Sequence, residues 1–278
     1  MCELFALCGR YPTDVTLSMG EFSRHGGLTG THRDGWGIAW FEDGAVHLHR
    51  GTEAAGSSAD LARSSVSLSS TLVLSHIRKA TTGVVHLRNT QPFQEKALGR
   101  YYLFAHNGHV PELAARLPLA TDHFLPAGDT DSEYAFCLLM ERIRARAEER
   151  GIARAVPLPV DDLLEVMAEF CTAVTPFGPF NFLFSDGETL IVHGHKRTQQ
   201  PDGKIRPPGL WRLSRHCRTG KESLQTGGLD VRNSHSRQDV VLIASVPLTD
   251  EPWQPLPAGA ILALRDGEVI REVVVPAG

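Results

Sequence analysis

The order of hydrophobic patterns along the chain constrains the fold most. Short runs with strand character crowd the first hundred positions, at Glu3–Leu7, Gly37–Phe41, Val46–His49, Leu72–His76 and Tyr101–Ala105. Two helical patterns then occupy the middle. From Asp131 to Glu149, Phe136, Leu139, Met140 and Ile143 recur on one face, and Thr130 and Glu133 have capping-box spacing. From Asp161 to Val174, acids in the first turn precede Leu163, Leu164, Met167 and Phe170. Strands resume at Phe180–Phe184 and Thr189–His193 around the turn Ser185-Asp186-Gly187-Glu188, and again at Val240–Ala244, Ala260–Leu264 and Val269–Val275. Val15–Ser23 and Ala59–Ser67 are candidate helices, the second equally readable as a Ser-rich loop, and Lys196–Pro208 reads as an inserted polar loop. This order argues for an α+β fold of antiparallel sheets with helices on their outer faces, not a parallel βαβ series. With no internal repeat and no convincing linker, residues 2–278 read as a single domain.

Composition narrows the partners. In a chain of 278 residues, 42% hydrophobic content supplies a core, and a formal net charge of −4 without a basic block argues against nucleic acid. No apolar run approaches the roughly 18 residues of a membrane span, and an acid at Glu3 is unlike a signal peptide. The expectation is a soluble, cytoplasmic protein with a small-molecule substrate. Cysteines at 2, 8, 137, 171 and 217 form no Cys-x-x-Cys pair, so reduced thiols fit better than a disulfide framework, with Cys8, Cys137 and Cys171 as small core residues. His47-x-His49 and His193-x-His195 lack further ligands and read as exposed strand histidines; Gly26–Gly30 lacks the Lys-Ser/Thr ending of a phosphate loop. No metal or cofactor is expected.

Cys2 is where chemistry concentrates. Removal of Met1 would put a thiol and an α-amine on one residue, and that amine, with an ordinary pKa of about 8, can pass protons near neutrality. Taken alone, Cys2 is more easily an accidental or core cysteine. Acyl transfer also needs donors for an oxyanion, and His106-Asn107-Gly108 follows an apolar run, offering a side-chain amide at Asn107 and an unobstructed backbone N–H at Gly108. The plainer reading is an Asn-Gly turn. Arg78, at a strand end, is a candidate for binding an α-carboxylate in bidentate fashion, with Thr81 adding a hydroxyl, and Asp131 is a candidate for an α-ammonium. Singly, these read as a surface ion pair and a helix-terminal acid.

Six ordered motifs change the weighing. Met1-Cys2-Glu3-Leu4, Arg24-His25-Gly26-Gly27 with Asp34-Gly35-Trp36-Gly37, His76-Ile77-Arg78-Lys79-Ala80-Thr81, Asn89-Thr90-Gln91-Pro92-Phe93, Ala105-His106-Asn107-Gly108 and Asp129-Thr130-Asp131-Ser132-Glu133 together make the chain resemble the class II glutamine amidotransferases over nearly its whole length, the small stand-alone bacterial members above all. The resemblance implies an N-terminal-nucleophile hydrolase fold, a four-layer αββα sandwich of two antiparallel sheets between helical layers. It also implies that Cys2 cleaves the γ-amide of glutamine through a thioester, with Asn107 and Gly108 as oxyanion hole and Arg78, Thr81 and Asp131 holding the amino-acid end. Ammonia would then be released or passed to a separate accepting protein. Lys79, where hexosamine-synthesising relatives have Trp, and Gln91-Pro92-Phe93, where they have His-Pro-His, depart from part of the family. Two other functions fit the same residues: hydrolysis of a γ-glutamyl thiol metabolite, related to ergothioneine or glutathione, and a silent regulatory subunit.

Overall fold

The computed structural model describes residues 2–66, 68–200, 202–217, 224–226, 229–231 and 237–276. Strand β1 (Glu3–Asp14) is followed by helix α1 (Thr16–Arg24), the hairpin β2 (Trp36–Glu42) and β3 (Ala45–Gly51), helix α2 (Ala59–Ser65) and β4 (Ser69–Ile77). A second hairpin, β5 (Phe93–Ala97) and β6 (Arg100–Gly108), precedes the short α3 (Leu113–Arg116), then α4 (Asp131–Glu149) and α5 (Val160–Val174). The remainder is sheet: β7 (Phe180–Ser185), β8 (Leu190–Gly194), β9 (Arg197–Thr198), β10 (Ile205–Arg206), β11 (Trp211–Cys217), β12 (Leu224–Thr226), β13 (Leu229–Val231), β14 (Gln238–Ala244), β15 (Gln254–Pro255), β16 (Ala260–Arg265) and β17 (Glu268–Val274).

Seven strands form one sheet in the order β15-β11-β14-β1-β4-β2-β3, and six form another in the order β17-β16-β8-β7-β6-β5. Pairing in both is antiparallel. Alternation of side chains then builds four layers. Along β1, Leu4, Ala6 and Cys8 point into the space between the sheets, where Leu103, Ala105, Leu183 and Leu262 meet them. Phe5 and Leu7 point the other way, onto Met19 and Phe22 of α1 and Leu61 of α2. On the second sheet, Tyr102, Phe104, Phe180 and Phe182 face outward onto Phe136 and Leu139 of α4 and Met167 and Phe170 of α5. The αββα sandwich implied by the motifs is therefore the observed architecture.

Several local expectations change. Residues 59–65 are helical, with the Ser58 hydroxyl accepting the Leu61 N–H, so the Ser-rich stretch begins with a cap and not a loop. The 196–208 insertion carries a small hairpin, β9 with β10. Thr130 caps α4 by accepting the Glu133 N–H at 3.2 Å, but the Glu133 carboxylate turns to the N–H groups of Ala127 and Gly128 and not to the cap residue. His193 and His195 are fully buried, not exposed, because β8 lies inside its sheet and these positions share a face with the core residue Ile191. Cys8, Cys137 and Cys171 are buried free thiols, whereas the side chain of Cys217 lies outside the described residues. Among the described residues, no helix is long and apolar enough to cross a membrane.

Candidate active site

The pairing of β1 with β4 sets the site. Glu3 lies opposite Ile77 and Leu4 opposite His76, so Cys2 and Arg78 extend that register past the strand ends, at one end of the sandwich. By alternation Cys2 shares the inter-sheet face of Leu4 and Ala6. Its half-buried side chain is bracketed by one residue: the Lys79 N–H donates to Sγ at 3.4 Å, and the thiol donates to the Lys79 carbonyl at 3.5 Å. Burial raises the thiol pKa; the Lys79 amide and the Arg78 charge oppose that rise, and the Asp131 charge adds to it. The net direction is upward, so at neutral pH the group is a protonated thiol that needs a base before it can attack.

Arg78 is almost fully buried. Its Nη1 donates to the Val84 carbonyl at 3.0 Å, and Nη2 donates to the carbonyls of Thr82 at 3.0 Å and Gly83 at 3.3 Å. It therefore shapes the loop that carries the exposed Thr81. Among the described residues no carboxylate forms an ion pair with this guanidinium, and burial lowers its pKa. Its backbone is tied to β2: the Arg78 N–H donates to the Gly35 carbonyl at 2.8 Å and the Asp34 N–H to the Arg78 carbonyl at 3.1 Å. Gly35 has φ of 132°, a conformation glycine alone adopts easily. The Asp34 carboxylate accepts the Ala80 N–H at 2.8 Å, fixing the far side of the same turn.

Asn107 and Gly108 end β6, facing Asn181 and Phe180 of β7. Fully buried, Asn107 donates through Nδ2 to the Ser245 hydroxyl at 3.3 Å, and its Oδ1 has no partner. The same Ser245 oxygen accepts the Leu4 N–H at 2.9 Å, and the Ser245 N–H donates to the Leu4 carbonyl at 3.0 Å. Ser245 thus joins the Asn107 amide to the nucleophile strand two residues from Cys2. At Gly108 a Cβ would collide with the Pro179 carbonyl and the His106 ring, so only glycine lets the two strands meet there.

Asp131, the first residue of α4, accepts the Val110 N–H at 2.7 Å and has His109 Nδ1 at 3.4 Å. It closes the segment after Gly108 onto the helix, and its charge is felt at Cys2. Asp131 thus arrives already bonded to a backbone amide, with one oxygen so engaged. Its neighbour Ser132 contacts His106 Nδ1 at 2.8 Å. The structure therefore brings Cys2, Arg78, Asn107, Gly108 and Asp131 to one end of the sandwich, and leaves Thr81 at the surface of the Arg78 loop.

Sequence reasoning passed over a second set of residues around Cys2. The buried Glu3 carboxylate meets His25 Nδ1 at 2.6 Å and Arg197 Nη2 at 3.8 Å. Burial works to raise its pKa, but the His25 hydrogen bond and the charges of His25, His32 and Arg197 hold it below the usual range. Arg197 also donates to the Ser245 carbonyl at 2.7 Å. Glu3 and His25 lay inside two of the motifs, whereas Ser245 and Arg197 carried no local signal. Buried Asn181 bonds the Asn107 and Lys196 carbonyls through Nδ2 and accepts the His195 N–H, so it holds the end of β6 in place. His76, opposite Leu4 in the β1–β4 register, is buried with neither ring nitrogen bonded, and burial together with the Arg78 charge brings its pKa down to about 3. No group of three or more His, Cys, Asp or Glu side chains among the described residues is arranged to hold a metal ion.

Comparison with known proteins converges on one family. The profile described as "Glutamine amidotransferases class-II" matches residues 1–277. The "Putative glutamine amidotransferase" of Haemophilus influenzae is 34% identical over 99% of this chain and 87% of its own length. The crystal structure of a predicted glutamine amidotransferase from Pseudomonas aeruginosa superposes with a TM-score of 0.68 at 31% identity, covering 97% of this chain and all of that one (100%). The glutamine phosphoribosylpyrophosphate amidotransferase of Bacillus subtilis shares the fold at a TM-score of 0.60 and 17% identity, this chain matching 49% of it. The chain belongs to the class II glutamine amidotransferases.

Proposed function

We propose that the protein is a glutaminase-type amidohydrolase whose nucleophile is Cys2, freed as the N-terminal residue by loss of Met1. The Cys2 α-amine takes the thiol proton, directly or through water, and Sγ bonds to the γ-carbonyl carbon of glutamine. The oxyanion forms against the Asn107 amide and the Gly108 N–H. As the C–N bond breaks, the α-amine returns the proton to the leaving nitrogen and ammonia departs. Water then cleaves the γ-glutamyl thioester, giving glutamate and the free thiol. Arg78 holds the substrate α-carboxylate and Asp131 its α-ammonium, with Thr81 on the loop above. Ammonia goes to solvent or to a separate accepting protein.

The observation that carries this reading is the β1–β4 register, which sets the thiol against Lys79 beside a buried guanidinium with no carboxylate partner among the described residues. The test is labelling with a glutamine-like electrophile, followed by intact-mass and peptide analysis. One adduct is expected, on Cys2, in a chain lacking Met1, and absent from Cys2→Ala. Retention of Met1 in active protein, or an adduct that survives Cys2→Ala, overturns the assignment.

A further inference from the structure

Ser245 stands where the two halves of the site meet. It directly follows β14, in the seven-stranded sheet whose strand β1 leads back to Cys2, whereas Asn107 ends β6 in the six-stranded sheet. Its hydroxyl oxygen accepts the Leu4 N–H at 2.9 Å and Asn107 Nδ2 at 3.3 Å, so one atom touches both the nucleophile strand and the oxyanion donor. Its backbone is held from two sides: the Ser245 N–H donates to the Leu4 carbonyl at 3.0 Å, and the Ser245 carbonyl accepts Arg197 Nη1 at 2.7 Å. Arg197 lies just beyond β8 of the six-stranded sheet and also faces Glu3 of β1 at 3.8 Å. A second tie between the sheets therefore converges on the same residue. Ser245 is fully buried, so bulk water does not compete for its oxygen.

The orientation of the Asn107 amide depends on this contact. Among the described residues the bond to Ser245 is the one hydrogen bond its side chain makes, since Oδ1 has no partner. A primary amide carries two N–H donors. With one given to Ser245, the other is left for an oxyanion, and the first sets the direction of the second. The terminal torsion of asparagine is broad and roughly two-fold, so an amide without such an anchor can turn over. It would then present Oδ1, an acceptor, to developing negative charge.

We propose that Ser245 is a positioning residue for amide cleavage, which keeps the Asn107 amide turned with Nδ2 towards the γ-carbonyl oxygen and at a fixed separation from the Cys2 strand. It acts through Asn107 and not on the substrate. This rests on the Cys2 thioester reading with Asn107 as an oxyanion donor. The bonds made and broken in the reaction are unchanged; Ser245 alters only how well the tetrahedral oxyanion is met.

Glutamine hydrolysis by Ser245→Ala, Asn107→Leu and the double variant tests the proposal. Ser245→Ala is expected to lower kcat by about tenfold with KM little changed, because the lost anchor matters where charge develops. In the Asn107→Leu background the same substitution should move kcat by less than about twofold, since no amide remains to be oriented. A serine that only held β1, through the Leu4 N–H, would cost the same factor in both backgrounds. Ser245→Cys runs through the same cycle: sulfur nearly keeps the shape but accepts weakly, so the coupling stays readable if the alanine variant does not fold. Equal factors in the two backgrounds, or wild-type kcat in both Ser245 variants while Asn107→Leu is impaired, overturns the proposal and leaves the thioester reading intact. Wild-type kcat in Asn107→Leu removes the oxyanion role and this proposal with it, while labelling of Cys2 by the glutamine-like electrophile still reports on the nucleophile.

Discussion

Asn107 is the residue on which the proposed rate enhancement turns, because its amide is buried at the strand end and its Nδ2 is already aligned on Ser245 beside the nucleophile strand. A donor fixed before reaction stabilises developing charge without reorganisation. Asn107→Leu should lower kcat for γ-glutamyl hydrolysis by about 10²–10³-fold while KM moves little, which steady-state kinetics on the folded variant would check; a rise in KM with kcat intact would place the residue in ground-state binding instead. Arg78 makes the opposite prediction. Its guanidinium organises three loop carbonyls and has no carboxylate partner among the described residues, whereas lysine provides no planar fork for the same arrangement. Arg78→Lys should raise KM by roughly tenfold or more, as a charge-assisted contact to the substrate carboxylate is weakened, with a smaller change in kcat.

Helix α4 shows how an element serves the site. Thr130 accepts the Glu133 N–H, and the next residue, Asp131, reaches back to the Val110 N–H just after β6. The cap thus fixes both the helix start and the acid proposed to bind the α-ammonium. Thr130→Ala should cost about 1 kcal/mol of stability, read from the urea midpoint, with KM rising as Asp131 loosens; a loss of stability with unaltered KM would separate the two roles. This element was legible in the sequence from its periodicity and its Thr-x-x-Glu start, although the glutamate proved to serve Ala127 and Gly128. The long strands β1, β2, β4 and β6 were legible too, since each carries apolar residues on the face that meets the opposite sheet. Strand β11 was not: Trp211–Cys217 mixes Arg212, Arg215 and His216 with apolar residues, and its place beside β14 is fixed by a partner nearly thirty residues away. Similarly, Arg78, Asn107 and Asp131 were found because the chemistry demands their residue types, whereas Ser245 and Arg197 act through a hydroxyl and a backbone contact that only the folded chain assembles.

The whole molecule buries four histidines about which the sequence was misleading or silent, and their protonation couples the fold to pH. His76 and His193 are brought down to about 3 and His106 and His195 to about 4, burial being the main cause in each. All four are essentially inaccessible and each has at least one unbonded ring nitrogen, so the folded state holds them neutral. In the unfolded chain they take up protons near their ordinary value of 6.5. Below that pH the unfolded state binds more protons than the folded one, and stability must fall as pH falls. The contribution is fully present above about pH 6.5 and drains away towards pH 3 to 4, each histidine adding at most ~1.4 kcal/mol per pH unit. Glu3 and Asp239, whose carboxyls are held below their usual range, lose their contributions at lower pH still, while Glu133 and Asp186, raised by burial, bind protons more readily in the fold and offset part of the histidine loss. His193 offers a clean test because its Nδ1 meets only the Ala260 carbonyl, at 3.2 Å, and it takes no part in the proposed chemistry. Urea unfolding of wild type at pH 7.5, 6.0 and 5.0 should show a steep loss of stability, and His193→Gln, which keeps a donor but cannot titrate, should show a shallower one. Parallel slopes in the two proteins would mean that His193 is protonated in the fold, and that the space around its free ring nitrogen accommodates the charge.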